Sequence, residues 1–160
     1  MKKRLDPEGR YWFHQQYIDS LDSREILVDI AMKSGLCGCV VQKVTIKRDY
    51  NNNILSRAFE ASDLENEDCG WYIEEKLDKF ALWIVDRLLE LPDALEHFES
   101  LQVGVRLDIG FCQGRPFVNE VGRIYNAHFF SLSGSAEPYT MMAKAVATSL
   151  LRYLGLLKRD

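Results

Sequence analysis

The stretch RLDIGFCQGRPFVNEV, residues 106–121, sets Arg106, Asp108, Asn119 and Glu120 among apolar residues that alternate as in β-strands. A core strand does not tolerate an unpaired carboxylate, because desolvating the charge is costly. Two settings remain: a solvent-facing sheet, or a cleft where acids and an arginine meet a metal and an anionic ligand. By period two, Val103, Val105, Leu107, Ile109 and Phe111 share one face of the first strand, and Gly104, Arg106, Asp108 and Gly110 share the other. The apolar set suits packing on a helix, and the glycines on the polar face leave room for a ligand to approach.

Opposed residues in an antiparallel hairpin have a constant index sum, set by the loop. A three-residue loop, Gln113–Arg115, places Asp108 opposite Glu120. Any odd loop keeps the two acids on one face, and any even loop separates them. Carboxylates directly opposite one another repel, unless a divalent cation lies between them. Mg²⁺ is commonly held by one or two carboxylates plus substrate phosphates. Arg106 would then serve a phosphate or a developing oxyanion. The bland alternative is an Arg106–Asp108 ion pair on a solvated sheet, which contributes little.

The elements that must position these residues read as α+β: a mostly antiparallel sheet with two long helices packed on it. YWFHQQYI, REILVDIAM and CGCVVQKVTI are strand candidates, the last two joined by a turn at KSGL, and DYNNN (49–53) is a loop. Ile54 to Asp68 is polar with sparse apolar residues and reads as a flexible connection. Leu77, Phe80, Ala81, Ile84, Val85, Leu88 and Leu89 form a helical stripe that Pro92 ends, with Asp93 placed to cap a short second turn. A second long helix starts at Ser135 or Glu137 and lines one face with Met142, Ala145, Val146, Leu150 and Tyr153.

The 160 residues suit a single domain spanning 1–160, and 47% hydrophobic content supports a packed core rather than a disordered tail. A net charge of −4 with interspersed signs argues against a nucleic-acid surface. With no apolar span or signal core, the expectation is no membrane association and a soluble, cytoplasmic protein. Cys37, Cys39, Cys69 and Cys112 form no CxxC pair, and His14, His97 and His128 follow no ligand spacing. These read as buried reduced thiols and surface or core histidines rather than a metal site.

The hairpin RLDIGF…GRPFVNEV resembles the metal-binding hairpin of the ATP-grasp superfamily, in which R-x-D, a turn and N-E recur. GRIYNAHFFS is similar to the continuation in one branch of that superfamily. WFHQQYIDSLDSREILVDIA resembles its adenine hinge and following strand, and EPYTMMAKAVATSLLRYLG its closing helix, so the likeness runs along nearly the whole chain. The resemblance implies that Gln16, Tyr17 and Ile18 line the adenine of ATP and that Glu25 is the acid of the second motif. It implies that Asp108 and Glu120 coordinate Mg²⁺, that Arg106 stabilises the transferring phosphoryl group, and that Asn119 precedes the metal acid as in that branch.

Three departures accompany it. Leu27 stands where the second motif has arginine, and Gly122 where a metal-binding Asn is common, with Asn126 too distant to substitute. No glycine-rich loop or lysine-bearing strand precedes the hinge; Lys2 and Lys3 lie at the terminus. The resemblance therefore implies the C-terminal half of an ATP-grasp domain. Two functions follow from it. One is part of an ATP- and Mg²⁺-dependent carboxylate ligase, acting on a carboxylate and an amine, inactive without the lid half or a partner chain that supplies it. The other is a non-catalytic remnant that acts as a binding or interaction module.

Overall fold

The computed structural model describes residues 3–5, 11–13, 25–32, 38–51, 53–64, 74–112, 114–123, 140, 143–148, 151 and 156–157. Strands β1 (Lys3–Leu5) and β2 (Tyr11–Phe13) pair as a two-stranded antiparallel ribbon. The main sheet contains β3 (Glu25–Met32), β4 (Gly38–Arg48), β5 (Ile54–Ala58), β6 (Gly104–Cys112) and β7 (Arg115–Arg123), in the order β5-β4-β3-β6-β7 with every pair antiparallel. β3 is its middle strand, and residues 26–32 are all buried. Its nearly continuous apolar, β-branched sequence suits a strand covered on both faces.

Helix α1 (Glu74–Leu89) lies on one face. Leu77, Ala81 and Val85 are buried against Ile26, Val28, Ile30, Val105, Leu107 and Ile109, with Phe80, Ile84, Leu88 and Leu89 partly buried beside them. The helical stripe and the apolar face of β6 thus meet as their periodicities predict. Lys43 on β4 fixes the helix start: its Nζ lies 2.8 Å from Glu74 Oε1 and 2.7 Å from Asp78 Oδ1.

Several sequence expectations need correction. Among the described residues only α1 exceeds six residues, so these residues show one long helix rather than two. Residues 140, 143–148 and 151 of the second expected helix are helical, and the rest of that segment lies outside the described residues. Ala145 is buried against Ala31, but Val146 is exposed. The buried part of this helix face is therefore narrower than the expected stripe, with Val146 at its open margin.

The flexible connection expected from Ile54 contains β5 and a 3-10 turn, Ala61–Asp63. Buried Asp63 organises it. Thr45 Oγ1 donates to Asp63 Oδ2 at 2.7 Å, the Glu60 N–H donates to the same oxygen at 3.0 Å, and Arg57 pairs with Oδ1. Burial would raise the Asp63 pKa, but these hydrogen bonds and the arginine outweigh it and hold the carboxyl below its ordinary value.

At the start of β6, Glu99–Gln102 forms a 3-10 turn and Val103 has helical backbone angles. The strand therefore begins at Gly104, and Val103 packs with Ala31, Val41 and Ala145 rather than beneath α1. Asp93 precedes the short helix α2 (Ala94–His97) in a left-handed conformation and makes no side-chain cap hydrogen bond.

Candidate functional site

The hairpin that carries Arg106, Asp108 and Glu120 is closed by a two-residue turn. Cys112 pairs with Arg115, and Gly114 adopts a positive φ of 74°. An even loop should send Asp108 and Glu120 to opposite faces. The pairing holds that register only as far as Ile109–Val118, then slips by one residue, with Asn119 as the extra. Beyond the slip Asp108 stands opposite Glu120, and Arg106 opposite Gly122. A β-bulge, not the expected odd loop, places the two acids together.

Arg106 lies between them. Its Nε donates to Asp108 Oδ1 at 2.7 Å and its Nη2 to Oδ2 at 2.9 Å. The same Nη2 is 3.8 Å from Glu120 Oε1. A Cβ at Gly122 would sit 3.3–3.4 Å from the guanidinium. The glycine at the position where the resemblance expects Asn therefore gives the arginine a floor to lie on. The Arg106 and Asp108 side chains are 12% and 7% exposed, so the pair is not the solvated one that contributes little.

The β3–β6 register brings two further acids to this face: Leu27 pairs with Asp108, and Asp29 with Arg106. Glu25, at the start of β3, accepts a hydrogen bond from Asn119 Nδ2 at 2.9 Å. The bulge residue thus reaches across β6 to β3. Leu27, where the resemblance expects arginine, is buried in an apolar cluster with Val44 and Ile46.

Asp29 was not legible as a site residue, because REILVDIAM reads as an apolar run. The usable signal was its even spacing from Glu25, which sets both acids on one face. Asp29 is 1% exposed; Gln42 Nε2 donates to its Oδ2 at 3.3 Å, and its Oδ1 has no hydrogen-bond partner.

Four acids thus share a face with Arg106, and the pKa values of Asp29, Asp108 and Glu25 are raised, first by burial. Burial pushes Asp29 up to about 6, which Arg106 and Gln42 only partly offset while Asp108 adds to the rise. Burial also raises Asp108 against the hydrogen bond and charge of Arg106, with Glu120 adding to it. Glu25 is raised by burial, lowered by Asn119, and raised again by Asp108 and Glu120. Arg106 is held above its ordinary value despite burial, by Asp108, Glu120 and Asp29. Among the described residues, however, no three His, Cys, Asp or Glu side chains converge where they could hold a metal ion.

The expected adenine-hinge residues Gln16, Tyr17 and Ile18 lie outside the described residues, as do His14, His128, Cys37, Cys69 and Asn126. Cys112 is exposed and Cys39 half-buried, which corrects the expectation of buried thiols at these two positions. A cleft of about 310 Å³ opens between β4, β5 and the start of α1. Its lysine, Lys43, is already held by Glu74 and Asp78, so the cleft is a joint between helix and sheet. Among the described residues no helix is long and apolar enough to cross a membrane.

No family model matches the sequence, and no curated protein matches it. Among solved structures the chain is weakly similar to the D-alanine–D-alanine ligase from Bacillus anthracis. The TM-score is 0.42 and the identity 16%, over 81% of this chain and 41% of the ligase. The chain therefore spans about two-fifths of that ligase's length, and at this level of similarity no residue role transfers.

Proposed function

We propose that the face shared by β3, β6 and β7 is the metal- and phosphate-binding half of an ATP-grasp-type site. On this reading the chain forms part of an ATP- and Mg²⁺-dependent carboxylate ligase. The observation that carries the reading is the Asn119 bulge. A bulge disrupts the ladder and is kept where it re-aims a side chain, and here it restores the opposition of Asp108 and Glu120 that the turn alone would remove.

The residues fit a Mg²⁺ ion that completes its shell with water and phosphate oxygens, and they do not fit a closed protein cage. Burial raises the Glu25 and Asp108 pKa values, and neighbouring acids raise both further, a charge excess that a cation would relieve. Asp108 and Glu120 would hold the ion, whose contribution is to neutralise charge on the ATP phosphates. Arg106 would present its planar fork to the same phosphates. Asn119 would steady Glu25 beside them, and Gln16, Tyr17 and Ile18 would line the adenine.

The reaction class is attack of a substrate carboxylate on the γ-phosphate. A bond forms to phosphorus as the bond to the ADP oxygen breaks, and an amine then displaces phosphate from the acylphosphate. Phosphoryl transfer of this kind depends chiefly on positioning and charge stabilisation. Turnover would also need a lid to orient the phosphates and exclude water, supplied in cis or by a partner chain.

A second reading is a binding module without chemistry. It is favoured by Leu27, which replaces a charged contact with an apolar cluster, and by the engagement of both Asp108 oxygens by Arg106. Calorimetry with Mg²⁺ and a non-hydrolysable ATP analogue tests the first reading. Binding should require Mg²⁺ and be lost in both Asp108→Asn and Glu120→Gln. Binding that ignores Mg²⁺ and both substitutions would count against it. Mg²⁺-dependent binding without ADP release once a lid is supplied would favour the module.

A further inference from the structure

Arg106 lies among these acids, and Asp108 holds it by both oxygens. If a cation is to use Asp108, the guanidinium must yield at least part of that grip. An arginine displaced inside a half-buried site needs another acceptor, because an unpaired buried charge is costly. Asp29 is the cross-strand neighbour of Arg106 in the β3–β6 register. It is 1% exposed, and its Oδ1 has no hydrogen-bond partner. Gln42, its neighbour on β4 and 6% exposed, leaves its own Oε1 unpartnered as well. Oxygens left unsatisfied in a buried place call for an explanation.

We infer that Asp29 is a positioning residue: the second seat of Arg106, which receives the guanidinium when a divalent cation takes Asp108. The inference rests on the cation reading for its trigger, and its geometry stands on the register and the unpartnered oxygen alone. Asp108 and Asp29 flank the arginine as alternative anions, one along its own strand and one across the ladder. The flat seat on Gly122 permits the swing, since no side chain there fences the guanidinium in. Asp29 touches neither the cation nor the phosphates. It lowers the cost of freeing Asp108 by offering Arg106 a second buried carboxylate.

A double-mutant cycle read by thermal melting, with Mg²⁺ as the only probe, tests this. In the wild-type background Asp29→Asn should raise the melting temperature, because it removes a buried carboxyl without its full complement of partners. In the Asp108→Asn background, where Asp29 is the buried carboxylate across the ladder to which Arg106 can turn, the same substitution should lower it. A merely structural Asp29 would act with the same sign in both backgrounds, and that result overturns the proposal. Should Asp108→Asn fail to fold, the Mg²⁺ response decides. The upward shift in melting temperature that Mg²⁺ gives the wild type should shrink several-fold in Asp29→Asn, and an undiminished shift overturns the seat. A wild type that ignores Mg²⁺ while the sign reversal is present removes the cation reading and leaves the exchange of Arg106 standing. A normal Mg²⁺ response without the sign reversal does the opposite.

Discussion

At the scale of single residues, burial of acids on the face around Arg106 outweighs what the arginine offsets, and Asp29 carries the clearest mark of it. Its pKa rises from 3.8 to about 6 on folding. Between those values the folded chain binds more protons than the unfolded one, so this group's contribution to stability is greatest below pH 3.8 and is lost as pH rises through 6. At neutral pH the shift amounts to a penalty of about 3 kcal/mol at most. Asp29→Asn should therefore stabilise the protein at pH 7 and flatten its stability between pH 4 and pH 7, as urea unfolding at several pH values would record. Glu120 differs, because its side chain is 58% exposed and its contact with Arg106 is long. Glu120→Gln should change the stability of the metal-free protein by less than about 0.5 kcal/mol, the range for open surface positions. A larger loss in the melting curve would make Glu120 a structural ion-pair partner. Asp108 and Glu120 stood out in the sequence because acids interrupt alternating strands. Asp29 did not, because one acid in an apolar run looks like a strand end until its neighbours across the ladder are known.

At the scale of elements, the helical period was legible and the hairpin register was not. Leu77 recurs with Ala81 and Val85 on a stripe that the sheet buries, and Leu77 is 2% exposed. Leu77→Ala should cost roughly 2–5 kcal/mol in chemical unfolding. Ile84, at the margin of the same stripe, is only partly buried and should cost less than Leu77 does. The strand β5 escaped notice because an edge strand with exposed Ile54, Leu55 and Arg57 has the composition of a loop, and its order depends on pairing with β4 and on the Thr45–Asp63–Arg57 contacts. The bulge at Asn119 was unreadable for another reason: hairpin register depends on both turn length and inserted residues, and the sequence specifies neither by pattern. Deleting Asn119 therefore gives a sharp prediction. The hairpin should still form, with Val118 and Glu120 now adjacent and Glu120 still opposite Asp108 in an unbroken ladder. Nuclear Overhauser contacts between β6 and β7 would show the turn-proximal pairing running on without a slip.

At the scale of the whole molecule, the candidate site depends on pairings between distant parts of the chain. β3 lies between β4 and β6, so residues 25–29 meet residues 106–110 only through the completed sheet. No local period encodes that meeting, although α+β composition and antiparallel pairing were readable from the strands and the helical stripe. The same sheet has one face closed by α1 and the other carrying the acids, so fold and chemistry are divided between its two sides. The central claim is that a divalent cation and nucleotide phosphates meet on the second side. Mn²⁺ can stand in for Mg²⁺ as a hard, oxygen-seeking ion and broadens the NMR signals of nearby nuclei. Added with a non-hydrolysable ATP analogue to isotope-labelled protein, it should broaden amides near Asp108 and Glu120 first and leave those of α1 sharp. Uniform broadening, or broadening centred on another acidic cluster such as Glu74 and Asp78, would contradict the account.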